Sequence, residues 1–231
     1  MKTKHILTLA TLLIVAIVFT SCNKTNFTPP TITLNQPAEN PWVINLYANV
    51  IDPGATAMDN KGNNITSSVI STWSTGNPNQ NLVGTYTITY TVADANGNTA
   101  SATRTVIVIV APSCLLGHWS VDDLIDTTNI KYTDSLTTFV SNPNNIYVTS
   151  FADYAGAALY FNLSGTSGTT VLLPPQSVTC GTGVNQKLRA FKGSGSVAPD
   201  GSSITINYGV VNVGLTDTVK GIETYSSRTS K

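Results

Sequence analysis

Between Gly84 and Val92 the chain reads Gly-Thr-Tyr-Thr-Ile-Thr-Tyr-Thr-Val, which puts Tyr86, Ile88, Tyr90 and Val92 on one side of an extended backbone and threonines on the other. A helix would scatter those four residues around its circumference, so no helical period competes with a half-buried strand. Asp94-Ala95-Asn96-Gly97-Asn98 follows, and Asn96-Gly97 supplies the positive φ angles of a tight hairpin. The return strand runs from Thr99 to Val110 and becomes apolar on both faces at Val106-Ile107-Val108-Ile109-Val110. A strand with one greasy face must lie against another layer, so this part of the chain is committed to packed β structure.

Ala111-Pro112-Ser113 marks a boundary, and Gly117-His118-Trp119-Ser120-Val121 opens a second β-rich region. Within it Ile204, Ile206, Tyr208 and Val210 alternate cleanly, directly after the turn sequence Ala198-Pro199-Asp200-Gly201. Segments around 145–149, 157–163 and 169–173 complete an expectation of seven or eight strands, in a barrel or a sandwich. Only 10% of residues are charged, while Thr, Ser, Asn and Gly abound, as in exported all-β proteins with many turns.

The stretches "PTITLN", "IDPGATAMDNKGNNIT" and "VGTYTITYTVADANGNTASATRTVIV" closely resemble the bacterial Ig-like domain of unknown function found in Bacteroidetes lipoproteins, other surface proteins and some insecticidal crystal toxins. The resemblance runs from roughly Pro30 to Val110 and implies a β-sandwich of about seven strands. Such modules mostly act as spacers or adhesive units. Residues 113–231 are similar, through "GHWSV", "LPPQSV" and "FKGSGSVAPDGSSITINYGV", to the C-terminal β domain that follows Ig-like modules in Bacteroidetes lipoproteins. The expected fold class is all-β: an N-terminal Ig-like β-sandwich plus a C-terminal antiparallel β-barrel or β-sandwich.

The N-terminus carries an address. Lys2 and Lys4 precede a run from Ile6 to Phe19 that is apolar apart from Thr8 and Thr11, too short for a membrane span of roughly 20 residues. Thr20-Ser21-Cys22 then resembles the lipobox of bacterial lipoproteins, with Phe19 in place of the commoner Leu. In that family the signal is cut before the cysteine, whose sulfur and amino group are acylated. Several acyl chains at about 0.8 kcal/mol per buried methylene make a firm anchor. Asn23 is not the aspartate of inner-membrane retention, which favours the outer membrane, and no acidic surface-export signal follows, so either the periplasmic or the cell-surface face fits. The organisation expected is a signal peptide over 1–21, a tether over 22–30, an Ig-like domain over 31–111 and a β-rich domain over 112–231.

Cleavage before Cys22 removes Lys2 and Lys4, leaving 10 basic residues against 12 acidic ones, which excludes the strongly basic balance of a nucleic-acid binder. With Cys22 lipidated, Cys114 and Cys180 remain as an even pair in an oxidising compartment. A disulfide between them would close a loop of about 67 residues and stabilise by about 4 kcal/mol on the chain-entropy model; the alternative is two separate buried thiols. No metal or cofactor is implied, since His118 and two distant thiols lack zinc-ligand spacing. Asp52, Asp59, Asn60 and Asn64 have oxygens suited to calcium, but Asp52-Pro53-Gly54 and Asn60-Lys61-Gly62 are better read as turns.

A catalytic constellation is not evident. Asp122 and Asp126 share parity and are the candidates for a paired-carboxylate glycosidase, whereas Asp122 and Asp123 should point to opposite faces of a strand. The reading that fits the architecture best is a non-catalytic lipoprotein of the cell envelope that binds polysaccharide through exposed aromatics of its distal domain, with Trp119, Tyr147, Tyr154 and Tyr160 as candidate ligand-binding residues beside Tyr208. The competing reading is a structural or adhesion component that contacts other envelope proteins and takes no small ligand. An exposed aromatic row would separate the two.

Overall fold

The computed structural model describes residues 27–37, 39–74, 79–154, 156–214 and 218–230; the expected signal peptide, Cys22 and most of the tether lie outside these. The N-terminal part contributes β1 (Thr31–Leu34), β2 (Trp42–Asn45), β3 (Ala55–Met58), β4 (Ile70–Trp73), β5 (Gly84–Ala93) and β6 (Thr99–Ile109). The remainder contributes β7 (Gly117–Ile125), β8 (Thr128–Phe139), β9 (Asn142–Val148), β10 (Leu159–Ser164), β11 (Thr170–Cys180), β12 (Lys187–Val197), β13 (Ser203–Asn212) and β14 (Thr218–Ser230). Among the described residues the only helical pieces are three-residue 3₁₀ turns.

The fold is all-β, as the alternation predicts. β1 and β3 form an antiparallel pair, and β2, β6, β5 and β4 form a four-stranded sheet in that order, with β2 parallel to β6. Six strands are thus described where about seven are expected. On β5, Tyr86, Ile88, Tyr90 and Val92 are buried and the threonines between them are more open.

The described residues group into two compact units, those of 27–36 with 53–71 and 89–103, and those of 37–52 with 72–88 and 104–230. Two turns of one design lie in the first. Asp59 Oδ1 accepts the backbone N–H groups of Lys61 and Asn63 at 2.9 and 2.8 Å, and Asn63 Nδ2 donates to Asp59 Oδ2 at 2.7 Å. Asp94 repeats this with Asn96 and Asn98 at 2.9 and 2.8 Å, with Asn98 Nδ2 donating back at 2.8 Å. Gly62 and Gly97 carry the positive φ that closes each turn. The carboxylate of Asp59 is therefore spent on its own turn, whose hydrogen bonds also hold its pKa below the usual range.

In the second unit β7 to β14 run in sequence, each antiparallel to the next, and close into an eight-stranded barrel by pairing β14 with β7. The choice between barrel and sandwich is thereby settled. Alternate residues fill the interior, among them Trp119 and Val121, Ile146 and Val148, and Leu159 and Phe161. Gly195 faces inward where a Cβ would stand 1.8 Å from the carbonyl oxygen of Thr205, so β12 and β13 approach too closely there for any side chain. Pro174 and Pro175 cannot donate to the ladder, and the β11–β12 register shifts between Leu173 and Gln176. Gln176 mends the gap toward β10: its Oε1 accepts Tyr160 N–H at 3.0 Å and its Nε2 donates to Tyr160 O at 2.6 Å.

The connection from β9 to β10 dips into the barrel. Phe151, Ala152 and Ala157 are buried, and Phe151 meets Phe191 and Tyr208 edge to face at 5.9 and 5.1 Å. Asp134 tethers the start of this segment, accepting from Thr149 Oγ1 at 2.7 Å and from the N–H groups of Thr149 and Ser150 at 3.2 and 3.3 Å.

Candidate functional site

Inward parity on β9 and β10 belongs to Ile146, Val148, Leu159 and Phe161, so Tyr147 and Tyr160 point outward. They are direct register partners, with ring centroids 5.7 Å apart and planes inclined by 46°. On β8 the register shifts between Thr137 and Phe139, and Phe139, which is 57% exposed, packs edge to face on Tyr147 at 4.8 Å. Asn145, two residues along on the same face, donates its Nδ2 to Tyr147 Oη at 3.3 Å. The result is a row of three rings across three strands, kinked rather than flat, with amide and phenol groups at its edge. Such a surface offers apolar faces beside hydrogen-bonding groups and remains solvent-accessible.

The other two candidate aromatics stand elsewhere. Trp119 is 1% exposed in the barrel core, where its Nε1 donates to Leu115 O at 2.8 Å and the Arg228 guanidinium lies 5.7 Å from its ring. Its parity with Val121 takes it inside, so the ligand-contact role expected of it is not supported. Tyr154 is half-buried, with the Arg189 guanidinium 4.1 Å from its ring centre and Phe191 against its edge. One face of that ring is already occupied. Tyr208 is also buried, so the row consists of Tyr147, Tyr160 and the unexpected Phe139.

Asp122 and Asp126 do not form a carboxylate pair facing a cleft. Asp122 is ion-paired with Lys131 across the β7–β8 ladder, and Asp126 occupies the hairpin turn with φ of 52°. The acids that do meet are Asp123 and Glu223, register partners on β7 and β14, both wholly buried in the barrel. Tyr208 Oη donates to both oxygens of Asp123, at 2.9 and 3.0 Å. Glu223 Oε1 accepts from the Tyr132 hydroxyl and from the Ala152 N–H, the latter at 3.0 Å. Burial pushes the Glu223 carboxyl up to about 8, against the opposing effect of those donors, and pushes Asp123 up to about 6, with the Asp153 charge adding to the effect. Glu223 thus holds the β9–β10 loop through Ala152, and Asp123 holds the Tyr208 ring on which Phe151 packs.

The expected Cys114–Cys180 bridge is not made: both are free, buried thiols. Cys114 Sγ points to Leu46 O at 3.4 Å and Cys180 Sγ to Val178 O at 3.6 Å, and burial raises the Cys180 thiol above its ordinary value. His118 stands on the exposed side of β7, its Nδ1 2.7 Å from Ser135 Oγ.

Residues 32–108 match the family model of the bacterial surface protein Ig-like domain. No curated protein matches the chain. Among solved structures, the lipoprotein BT2262 from Bacteroides thetaiotaomicron is 18% identical, the alignment covering 85% of this chain and 100% of that one with a TM-score of 0.32. A putative outer membrane protein from Bacteroides fragilis is 11% identical over 86% of this chain and 87% of that one, with a TM-score of 0.33. The CBM51-2 and INT domains of Clostridium perfringens ZmpB, solved with GlcNAc, are 16% identical over 87% of this chain and 44% of that one, with a TM-score of 0.29.

Proposed function

We propose that this chain is a non-catalytic lipoprotein of the bacterial outer membrane whose barrel binds an extended, neutral glycan on the Phe139–Tyr147–Tyr160 row, with the Ig-like domain over 31–111 as a spacer. The observation that carries this reading is the row itself: Tyr147 touching Phe139 on one side and Tyr160 on the other, on the outer face of β8, β9 and β10, with Phe139 more than half exposed. An apolar ring left in water gains by covering the C–H face of a sugar, while Asn145 and the tyrosine hydroxyls can bond its hydroxyl groups. The kink between rings suits a polysaccharide that turns along its length. The address rests on the lipobox-like Thr20-Ser21-Cys22.

Affinity is expected to be weak, because a shallow site on a rigid barrel buries little area and its polar contacts only partly offset desolvation. A glycan array followed by calorimetry on the full chain tests the reading. Binding of a neutral polysaccharide without product release supports it; no binding to any envelope or dietary polysaccharide turns the assignment toward the structural and adhesive role.

A further inference from the structure

A groove of about 800 Å³ crosses the outer face of β11 to β14 and β7, away from the aromatic row in the strand order. The register builds it from two adjacent ladders. The first runs Leu172, Ser194, Asn207, Ile222, Leu124 across five strands, each residue paired with the next. Its ends are apolar and open, with Leu172, Ile222 and Leu124 at 47%, 40% and 41% exposure, and its middle is short and polar. The second ladder runs Lys192, Gly209, Lys220. Gly209 has no side chain to raise between the two lysines, whose backbones lie about 10 Å apart at the usual strand spacing. Asp126 stands beyond Lys220 and is the one carboxylate lining the groove among the described residues.

We propose that this groove binds a fatty acid, a single acyl chain ending in a carboxylate. Leucine and isoleucine walls left in water are stabilised when an acyl chain covers them, and they offer no flat face for a sugar. Two ammonium groups astride Gly209, with the exposed Thr218 methyl at its edge, form a saddle for a small anion, with Asn207 and Ser194 one ladder away as hydrogen-bond donors. Asp126 offsets only one of the two positive charges, so the polar end stays cationic.

The test uses the mature chain carrying Cys22→Ser, free of its own acyl groups, and displacement of a fluorescent fatty acid. Dodecanoate should displace it at least tenfold better than methyl dodecanoate or inorganic phosphate. Dodecanoyl lysophosphatidate, whose phosphate exceeds the single net positive charge of the polar end, should displace less well, and displacement at lower concentration than dodecanoate would overturn the proposal. Lys192→Ala with Lys220→Ala should weaken the acid at least tenfold, and Gly209→Val, which fills the saddle and turns aside the exposed Thr218 methyl 3.2 Å from the new Cβ, should do the same with an unchanged circular dichroism spectrum. Equal displacement by acid and methyl ester, an unaffected lysine double variant, or tight binding of a uronate polysaccharide in place of the acyl chain would overturn the proposal.

Discussion

Asp123 of β7 and Glu223 of β14 face each other directly across the strand pair that closes the barrel, and neither side chain reaches solvent. Burial disfavours the charged form of each, and the pair is held by donors from Tyr208, Tyr132 and Ala152. Both carboxyls sit above their ordinary values of 3.8 and 4.5, so the folded chain keeps protons that the unfolded chain releases. Their contribution to stability is whole below about pH 4 and declines as pH rises, through about 6 for Asp123 and about 8 for Glu223, with a slope of up to about 1.4 kcal/mol per pH unit for each group. Urea midpoints between pH 4 and 9 check this. Glu223→Gln should flatten the limb between pH 6 and 8; an unchanged slope in that variant would contradict the assignment.

The closing strands also depend on an absent side chain. A Cβ on Gly221 would lie 2.3 Å from Tyr208 Oη, so Gly221→Ala must push the ring away from Asp123. We expect a loss of about 1–3 kcal/mol, the range for an overpacked core, and a smaller loss when Tyr208→Phe is already present. Chemical denaturation of the two single variants and the double variant measures the coupling.

Asp94→Ala removes the acceptor for two backbone N–H groups and one amide in a buried turn. The expected cost is about 1–3 kcal/mol, whereas Asp94→Asn, which keeps an acceptor oxygen, should lose less. Thermal melts of both variants distinguish lost hydrogen bonds from lost charge.

Much of the fold is legible in local sequence because strand parity is local. The buried face of β5 follows from Tyr86, Ile88, Tyr90 and Val92, and that of β13 from Ile204, Ile206, Tyr208 and Val210. The opposite orientations of Asp122 and Asp123 follow from adjacency in a strand, and the same rule places Trp119 with Val121 and Asp123 inside the barrel. Closure was not legible: the partner of Asp123 is about a hundred residues away, and no nearby pattern names it. The aromatic row was half legible. Tyr147 and Tyr160 alternate with apolar neighbours, but Phe139 joins them through a register shift on β8 that leaves no local mark. The turn role of Asp59 shows in the shared spacing of "DNKGN" and "DANGN".

Cys114 and Cys180 should remain separate thiols. Peptide mapping without reductant is expected to return each unlinked, with alkylation slow in the folded chain because both are buried and rapid after denaturation. A linked 114–180 fragment would show that the barrel matures to an oxidised form.

Calorimetry of a neutral polysaccharide identified on the array, titrated into the full chain and into a variant carrying Phe139→Ala, Tyr147→Ala and Tyr160→Ala, tests the proposed function most directly. All three rings lie on the outer face, so the variant should keep the barrel fold and lose only their cross-strand contacts, about 0.2–1 kcal/mol each. The account predicts at least a tenfold loss of affinity in the variant, with Trp119→Phe, a change inside the barrel, leaving binding within twofold. Undiminished binding by the triple variant would contradict it and place the ligand on another face of the barrel.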